Sequence, residues 1–512
     1  MDSLRVKNFR SINDSGDIEI KPISVFLGKN SCGKSSFVRL FPLLKQTLES
    51  NCNEALLWYG DYVDFGSFGN ILPKAQGACD SIEIDFDLEI ALRDRYPFEI
   101  GEGNLGVKVY IEIAKQYVKK LTIDYFDQRV TVEYNKGKTI ENVIINSDVM
   151  DLKKNVWQWI KTKGDILPLI YEKEYNRQYP FNLMYYYYYY REKPLKGFLI
   201  NEISDFFGKF TKRMKEETKL EVFHTLSGVQ SKQELLDKLK RSKRSKRVSD
   251  YFSDKTIEDR EFLNLNNLVV LDQVNFLIEG INVKLNSFFE KTYYLKPIRV
   301  NAERYYRVRG ITIDQVDTDG SNLPMIFYNM TEDVQRKFKE WCIEKFSLYF
   351  SVEFSDGHVS LFVNDCEGNK SNLVDAGYGY SQVLPIIVQL WLLKSKKKVQ
   401  KKQENKQEIL LVIEQPELHL HPAFQAKLVN VFVSLIKEMR ESGIILKIVF
   451  ETHSEAMINR LGALVSQNFI DKELVNIILV EKEHQISKFK QVQFTNDGFI
   501  DEWPIGFLSA EE

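Results

Sequence analysis

A phosphate-binding loop pattern constrains this chain more than any other feature of its sequence. Residues 28–35 read Gly-Lys-Asn-Ser-Cys-Gly-Lys-Ser, which matches G-x-x-x-x-G-K-S. The loop follows an apolar run at 23–27, which predicts a buried strand, and precedes a helical pattern over 35–48. Glycines let backbone N–H groups surround phosphate oxygens, and the helix N-terminus adds a favourable dipole. The pattern predicts an α/β nucleotide-binding fold in which Lys34 reaches the β- and γ-phosphates and Ser35 binds Mg²⁺.

A second motif lies far downstream in the segment that reads ILLVIEQPELHLHP. Its five apolar residues, 409–413, predict a buried strand that ends at Glu414. A P-loop NTPase holds its Mg²⁺ with a carboxylate at a strand end, directly or through water. We therefore predict that Glu414 is the second Mg²⁺ contact, the alternative being a buried strand capped by an acid.

A histidine follows another apolar strand in the segment IVFETHSEAMINRL. The predicted turn after this strand carries His453 together with Glu451, Thr452 and Ser454. A histidine at the same sheet edge as a phosphate loop can contact a γ-phosphate or orient the attacking water. Taken alone, such a residue is more often structural, but beside the two other motifs we predict a functional role for His453.

The segment VDAGYGYSQVLP lies just before an apolar helical pattern. Gly377 and Gly379 are followed by Ser381 and Gln382 at the predicted helix start. These residues make a second anion-binding helix N-terminus, whereas one chain needs only one phosphate loop. We therefore expect this site to bind nucleotide on another copy of the chain; the alternative is a glycine turn with a helix cap.

Composition limits the class of protein and its partners. The 512 residues allow two to four domains, and 70 Lys and Arg against 72 Asp and Glu give a formal charge of −2. A nucleic-acid partner therefore requires a local basic patch. The Lys and Arg residues of 238–247, called the basic cluster below, can engage phosphates or form a solvated helix face. A run of six tyrosines at 185–190 can stack on bases or form a β-prone structural segment.

The cysteines and the apolar runs favour a cytoplasmic protein. The five cysteines are odd in number and show no C-x-x-C spacing, which argues against a disulfide framework and a zinc cluster. The N-terminus has no apolar signal core, and the longest apolar run, 383–393, is interrupted by Gln389. We expect no membrane association.

The pattern of elements divides the chain into three segments. Residues 1–80 and 291–512 carry the motifs and alternate between strand and helix patterns. Residues 81–290 start with period-two strands at 82–148 and then become helical and polar, so we expect an inserted sheet and helical region. Arg299, Arg304 and Arg307 lie on one polar segment near the start of the third part, where nucleotide contacts and structural ion pairs are both open.

The order of the four motifs resembles the ATP-binding-cassette heads of the RecF, SMC and OLD-like ATPases. The motifs IEQPELHLHP, YGYSQVLPI and ETHSE resemble most the bacterial branch that includes the ATPases of Septu-type and retron-linked phage-defence systems. The resemblance covers roughly residues 1–75 and 291–512. It implies a P-loop NTPase of ATP-binding-cassette head type, with a two-lobed mixed sheet, helices and a large α+β insertion.

In that family two heads face each other, and each ATP lies between the phosphate loop of one head and the Gly-x-Gly-x-Ser-Gln motif of the other. This motif, residues 377–382 in this chain, is called the signature below. The resemblance therefore implies that ATP is bound within one copy by the set Asn30, Gly33, Lys34, Ser35 and Ser36. It implies Ser381 and Gln382 as contacts from the second copy, Glu414 as the Mg²⁺ ligand and His453 as the switch. Gln46, after the first helix, is a candidate for the glutamine that senses Mg²⁺.

One position departs from the family pattern. Cassette ATPases usually place a glutamate directly after the acid at the strand end, where it polarises the attacking water, but this chain has Gln415. A neutral amide orients water without accepting its proton, so we expect slow hydrolysis, or Glu417 as the general base.

The function that follows is an ATP-hydrolysing switch. We expect a homodimer or higher oligomer through the heads that controls a separate effector, such as an HNH-type nuclease, in antiphage defence. We expect no fused Toprim nuclease after His453. The alternative is a RecF- or SMC-like repair ATPase that clamps DNA directly, for which the basic cluster supplies a candidate surface.

Overall fold

The structure is a computed structural model that describes most of the chain. It describes residues 1–50, 52, 54–73, 79–91, 103–137, 139–150, 152, 157–160, 164–172, 196–209, 214–226, 228–308, 315–396 and 407–500. The tyrosine run at 185–190 lies outside the described residues, as does the chain after residue 500. Within the described helices, none combines the length and the apolar character that a membrane crossing needs.

The elements are numbered along the chain. The strands are β1 Ser3–Phe9, β2 Ile12–Asp14, β3 Ile18–Glu19, β4 Ile23–Gly28, β5 Ile82–Ala91, β6 Asn104–Ile113, β7 Val118–Tyr125, β8 Gln128–Tyr134, β9 Ile140–Ile145, β10 Asp148–Met150, β11 Trp157–Ile160, β12 Leu169–Glu172, β13 Thr292–Leu295, β14 Tyr306–Arg307, β15 Leu348–Ser355, β16 His358–Asp365, β17 Lys370–Asn372, β18 Gln407–Glu414, β19 Ile444–Thr452, β20 Val475–Glu483 and β21 Ile486–Val492. The α-helices are α1 Lys34–Val38, α2 Leu40–Glu49, α3 Lys196–Gly208, α4 Glu216–Leu226, α5 Lys232–Lys240, α6 Lys246–Phe252, α7 Arg260–Glu290, α8 Leu323–Asn329, α9 Glu332–Phe346, α10 Tyr378–Lys396, α11 Pro422–Glu441 and α12 Glu455–Ser466.

The chain forms two compact units, each assembled from separate segments. The first comprises Met1–Asn8, Thr47–Leu57 and Gly77–Ser287, and the second comprises Phe9–Gln46, Trp58–Gln76 and Phe288–Glu512. The sequence motifs for phosphate, carboxylate, histidine and signature all fall in the second unit.

The first unit contains an antiparallel meander. Its strands lie in the order β10-β9-β8-β7-β6-β5-β1, and β5 to β10 pair with their neighbours in the chain. The side chains of strand β6 alternate between exposed and buried along most of its length, as the period-two pattern of the sequence predicts. The predicted sheet at 82–148 is confirmed.

A long helix, α7, belongs to the same unit and contacts the meander through buried amides. The Gln128 amide exchanges two hydrogen bonds with Asn266, at 2.8 and 3.0 Å. Asn146 donates to Gln128 at 2.7 Å and to Asn267 at 3.1 Å. Buried amides need such partners, so this cluster fixes the helix against the ends of β8 and β9.

The second unit is built on a mixed sheet with a parallel centre. Its strands lie in the order β2-β21-β20-β4-β19-β18-β13. Strands β20, β4, β19, β18 and β13 pair in parallel, and β4 is buried along its whole length. Strands buried on both faces read as continuous apolar runs, which is why the sequence shows them as such. The predicted α/β fold, with the phosphate loop between a parallel strand and a helix, is confirmed.

The helix after the phosphate loop is interrupted once. The sequence predicts a single helix over 35–48, whereas the structure has α1 and α2 with Arg39 between them. Pro42 has no N–H and cannot donate to the Val38 carbonyl, which removes one helical hydrogen bond at this point. The chain still continues in the same direction, because the Leu43 amide donates to the Arg39 carbonyl at 3.1 Å.

Candidate functional site

Two glycines of the phosphate loop are required by close backbone packing. A Cβ at Gly28 would lie 2.2 Å from the Val480 carbonyl oxygen of the neighbouring strand β20. A Cβ at Gly33 would lie 2.3 Å from the Ser487 hydroxyl, and Gly33 has a φ of 111°, which disfavours any other residue. The loop therefore turns tightly between β4 and α1, and its backbone is held by β20 and β21.

The lysine of the loop is buried and folded back on the loop itself. Lys34 is 4% exposed, and its Nζ donates to the Gly28 and Lys29 carbonyl oxygens at 2.9 Å each. Asn30 is exposed, and Ser36 is partly buried. Their predicted phosphate contacts, like that of Lys34, stay predictions. The Lys34 ammonium must exchange backbone carbonyls for phosphate oxygens if nucleotide binds here.

Strand register brings two glutamates side by side under α1. Glu414 pairs with Glu451 across β18 and β19, and Glu451 pairs with Phe26 of the phosphate-loop strand β4. Glu414 is 0% exposed and Glu451 is 1% exposed. Residues directly opposite in a sheet project to the same face, so both carboxylates meet the helix that follows the loop.

The two carboxylates have different partners. Arg39 donates to both oxygens of Glu414, from Nε and from Nη2, at 2.7 Å each. The Tyr294 hydroxyl of β13 also donates to Glu414. Ser35 instead donates to Oε1 of Glu451, at 3.0 Å. No hydrogen bond joins the two predicted Mg²⁺ ligands, Ser35 of α1 and Glu414 of β18, and strand β19 with Glu451 lies between β18 and the phosphate-loop strand β4.

Burial and charge perturb this group of residues strongly. Burial first, and the charge of Glu414 second, raise the pKa of Glu451 to about 7. The hydrogen bond with Glu414 is the largest cause of the raised pKa of Arg39. Burial, followed by the charge of Glu414, also raises the pKa of Tyr294, so its hydroxyl stays a donor. Both oxygens of Glu414 thus have hydrogen-bond donors. Burial and the Glu414 charge disfavour the ionised form of Glu451, which a bound cation would stabilise.

Arg299 is a buried guanidinium that joins the signature to the strand bearing Glu414. It is 1% exposed, and its Nη1 and Nη2 donate to the Gln382 and Glu414 carbonyl oxygens at 3.1 and 3.0 Å. The Gln382 amide in turn bonds both backbone groups of Arg299, at 3.0 and 3.1 Å. Burial lowers the pKa of Arg299 to about 10. Arg299 thus bridges two backbone carbonyls and forms no ion pair among the described residues, and a nucleotide contact of Arg299 stays a prediction.

The signature packs on the loop that follows Glu414. A Cβ at Gly379 would lie 2.4 Å from the His419 carbonyl oxygen, and the Tyr378 ring contacts the His419 ring at 4.7 Å. Ser381 is 6% exposed and donates to the Tyr378 carbonyl oxygen at 2.7 Å. Gln382 is 1% exposed and already engaged by Arg299. Contacts from Ser381 and Gln382 to a nucleotide on another copy stay predictions.

The three predicted catalytic residues lie on two adjoining loops. The Gln415 backbone N–H donates to the Glu451 carbonyl oxygen at 3.0 Å, and Gln415 has a φ of 46°. Glu417 accepts a hydrogen bond from the His453 backbone N–H at 2.7 Å, so it ties the two loops together. Its Oε2 has no hydrogen-bond partner among the described residues, and burial raises its pKa. Burial, with the nearby Lys34 charge, lowers the pKa of His453, which favours a neutral imidazole.

Gln46 has a local role that the sequence did not indicate. Its amide donates to the Val63 carbonyl oxygen at 3.2 Å and accepts from the Val63 N–H at 3.0 Å. These two bonds hold the loop around Val63 against α2. A sensing role for Gln46 would require this pair of bonds to open.

Three residues of the site were missed in the sequence: Arg39, Tyr294 and Glu451. Arg39 follows Ser35 by four positions, so both reach the carboxylates from one face of the helix. Glu451 carried a usable signal, because a glutamate inside the apolar strand KIVFET requires a specific partner if the strand is buried. Tyr294 had no local signal, since its contact with Glu414 is made far along the chain.

Most of the chain matches a known protein family. A family model described as AAA ATPase domain matches residues 1–458, which include every predicted binding and catalytic residue. No curated protein matches the sequence. Solved structures similar to this chain include the Smc head domain with an extended coiled coil, bound to the C-terminal domain of ScpA, from Pyrococcus furiosus. It has 10% identity and a TM-score of 0.38, with 96% of each chain covered.

Two further solved structures have comparable coverage. The SMC head domain from Thermotoga maritima has 9% identity and a TM-score of 0.34, with 96% of this chain and 97% of that chain covered. The recombination mediator protein RecF has 10% identity and a TM-score of 0.29, with 95% of this chain and 97% of that chain covered.

The ion pair between Arg39 and Glu414 predicts a specific loss of stability. Arg39→Ala leaves the buried Glu414 carboxylate with only Tyr294, and we expect a loss of about 2–3 kcal/mol in the free energy of unfolding. This is less than the roughly 3–5 kcal/mol expected for breaking a fully buried pair, because a third of the Arg39 side chain is exposed. Urea denaturation followed by circular dichroism measures it. The double variant Arg39→Ala/Glu414→Gln should recover at least half of the loss, and an unchanged transition in the single variant would contradict the assignment.

Proposed function

Because the chain belongs to the AAA ATPase domain family, we propose that it is an ATPase that works as a slow switch, binding Mg-ATP and pairing with a second copy through its nucleotide sites. The observation that carries this proposal is the meeting of Lys34, Ser35, Glu451 and His453 at one edge of the parallel sheet. Lys34 and Ser35 would bind phosphate and metal, and the neutral imidazole of His453 can accept or donate a hydrogen bond at the γ-phosphate. The bound Mg²⁺ would neutralise phosphate charge.

Pairing between copies is supported by the signature helix. Helix α10 has 19 residues, so its N-terminus offers a strong positive dipole end. Gly377 and Tyr378 precede Ser381 there, and the Tyr378 side chain is 44% exposed. This N-terminus is separate in sequence from the phosphate loop of the same chain. A second copy that presents its bound nucleotide would complete the site.

Slow turnover is supported by the residue after Glu414. Gln415 stands where related ATPases carry the glutamate that polarises water, and an amide cannot take the proton. Glu417 is the nearest other carboxylate on this loop, but one of its oxygens already holds the His453 backbone. A long-lived ATP-bound state suits a switch that controls a partner protein better than it suits a motor that needs rapid turnover.

The partner in this proposal is a separate effector, such as an HNH-type nuclease, and the setting is antiphage defence. The motifs IEQPELHLHP, YGYSQVLPI and ETHSE support this part through their resemblance to the ATPases of such systems. The effector's identity would be read from proteins that copurify with the chain in Mg-ATP.

A second candidate function, direct clamping of DNA, is favoured by the basic cluster. Its residues lie on α5, α6 and the turn between them, and Arg241, Lys243, Arg244, Lys246 and Arg247 are exposed. No ion pair engages these five side chains within the described part of the chain. Unpaired surface cations can neutralise phosphates and release counterions.

Two variants should distinguish nucleotide binding from the pairing of two copies. Lys34→Ala should lower ATP affinity at least 100-fold, because it removes the charge that reaches the phosphates. Ser381→Ala should leave ATP affinity of the isolated chain within twofold but weaken Mg-ATP-dependent pairing at least tenfold, measured by analytical ultracentrifugation.

A serine at the other end of the same helix provides the control. Ser395 donates to the Trp391 carbonyl oxygen at 2.9 Å, a bond of the same kind as that of Ser381. Ser395→Ala should therefore pair like the wild type. Normal pairing by Ser381→Ala would remove the shared-site part of the proposal.

Hydrolysis should respond to the residue after Glu414. Gln415→Glu supplies a general base at the position of the water, and we expect ATP turnover to rise at least tenfold, with a smaller change in KM. Phosphate release under saturating Mg-ATP measures it. Turnover that stays the same, or falls, would show that Gln415 does not limit hydrolysis.

Direct DNA clamping predicts salt-sensitive duplex binding through the basic cluster. The variant Lys243→Glu/Arg244→Glu/Arg247→Glu should bind duplex DNA at least tenfold more weakly in fluorescence anisotropy with Mg-ATP. It should also lose about 2–3 units of the salt slope, since each neutralised phosphate contributes about 0.9. Lys115→Glu/Lys136→Glu, two exposed lysines of the same unit, should change neither value. If the wild-type chain binds no duplex DNA in the presence of Mg-ATP, the clamping function is contradicted.

A further inference from the structure

Glu451 is the carboxylate that is hydrogen-bonded to Ser35. Ser35 is the hydroxyl expected on Mg²⁺, and it donates to Oε1 of Glu451 at 3.0 Å. Glu414, the acid at the end of β18, forms no hydrogen bond with Ser35 and accepts instead from Arg39 and Tyr294. The carboxylate already placed next to the metal-binding hydroxyl is therefore the one on β19, two residues before His453.

Glu414 has little capacity left for a metal. Its Oε1 accepts from Arg39 Nε at 2.7 Å and from the Tyr294 hydroxyl, and its Oε2 accepts from Arg39 Nη2 at 2.7 Å. A guanidinium that donates two parallel bonds is a strong and directional partner. Mg²⁺ at Glu414 would have to displace this pair and would sit beside the positive charge of Arg39.

Glu451 has the opposite environment. It is 1% exposed, and its Oε2 has no hydrogen-bond partner within the described residues. No lysine or arginine of those residues forms an ion pair with it, although the charge of Lys34 acts on it from a distance. A buried carboxylate oxygen without a partner is costly, and here it stands next to a second carboxylate. A cation at this oxygen would remove both costs.

We propose that Glu451 is the carboxylate that holds Mg²⁺ beside Ser35, directly or through a water, and that Glu414 is a positioning residue held by Arg39 and Tyr294. The donor set fits the ion, because Mg²⁺ takes oxygen ligands and keeps several waters, so one hydroxyl, one carboxylate and phosphate oxygens suffice. The inference rests on the proposed function, since it concerns the metal that accompanies ATP.

The test compares two isosteric variants, Glu451→Gln and Glu414→Gln. For each, the affinity for a fluorescent ATP analogue is measured with Mg²⁺ and with EDTA, and the ratio gives the tightening that the metal supplies. In Glu451→Gln this ratio should fall at least tenfold, while the affinity in EDTA stays within threefold of the wild type. In Glu414→Gln the ratio should stay within threefold. The reverse pattern would return the metal to Glu414.

A second readout does not depend on affinity for the analogue. Mn²⁺ bound in the ternary complex lowers the electron paramagnetic resonance signal of free Mn²⁺, and Glu451→Gln should raise the Mn²⁺ dissociation constant at least tenfold. Glu451→Asp keeps the charge on a shorter side chain and should recover part of the loss. Should Glu451→Gln fail to fold, Glu451→Ala decides, because a wild-type Mn²⁺ dissociation constant in a variant without this carboxylate overturns the assignment.

The outcomes separate this inference from the proposed function. If the wild type binds no ATP analogue with or without Mg²⁺, the ATP switch fails and the metal assignment fails with it. If the wild type binds ATP, tightens with Mg²⁺ and pairs, but Glu451→Gln keeps the full tightening, only the assignment of Glu451 fails.

Discussion

The parallel pairing of β4, β19 and β18 is the constraint on which the rest of the site depends. Each strand is buried, and each reaches the same sheet edge with its carboxyl end, where parallel α/β sheets place their ligands. The register sets Glu414 opposite Glu451, and Glu451 opposite Phe26 in the phosphate-loop strand. A shift by one residue would turn both glutamates to the other face, away from α1. The chemistry at this edge is therefore a result of strand register.

The buried charges at this edge are arranged around partners that a ligand must replace. Lys34 bonds carbonyls of its own loop, and Ser35 bonds Glu451. Arg39 bonds Glu414. Among the buried charged groups of the site, the atoms without a hydrogen-bond partner in the described part of the chain are Arg299 Nε and one oxygen each of Glu451 and Glu417. Nucleotide binding exchanges one set of hydrogen bonds for another, and only the surplus contributes to affinity. The proposed switch requires a second arrangement, with nucleotide bound, that is as well bonded as this one.

The sequence predicts those parts of the molecule that depend on neighbouring residues. The G-x-x-x-x-G-K-S pattern and the apolar runs at 23–27 and 409–413 locate the loop and two of its strands, because local patterns determine them. The break of the first helix at Arg39 was not predicted, although its cause, Pro42, is local. The partners of Glu414 could not be predicted, because Arg39 and Tyr294 lie 375 and 120 residues away in sequence. The contact between Ser35 and Glu451 depends on which strand lies next to β4, and only the sheet order decides that.

The bridge made by Arg299 gives the signature helix and β18 a rigid relation within one chain. Its guanidinium donates to a carbonyl at the start of α10 and to the carbonyl of Glu414 itself. Because Arg299 is 1% exposed, water cannot replace either bond without opening the core. Moving the first turn of α10 relative to the end of β18 would leave part of a buried cation unsatisfied, at a cost of a few kcal/mol. These two hydrogen bonds therefore oppose any displacement of the helix N-terminus relative to the strand end that carries the acidic site.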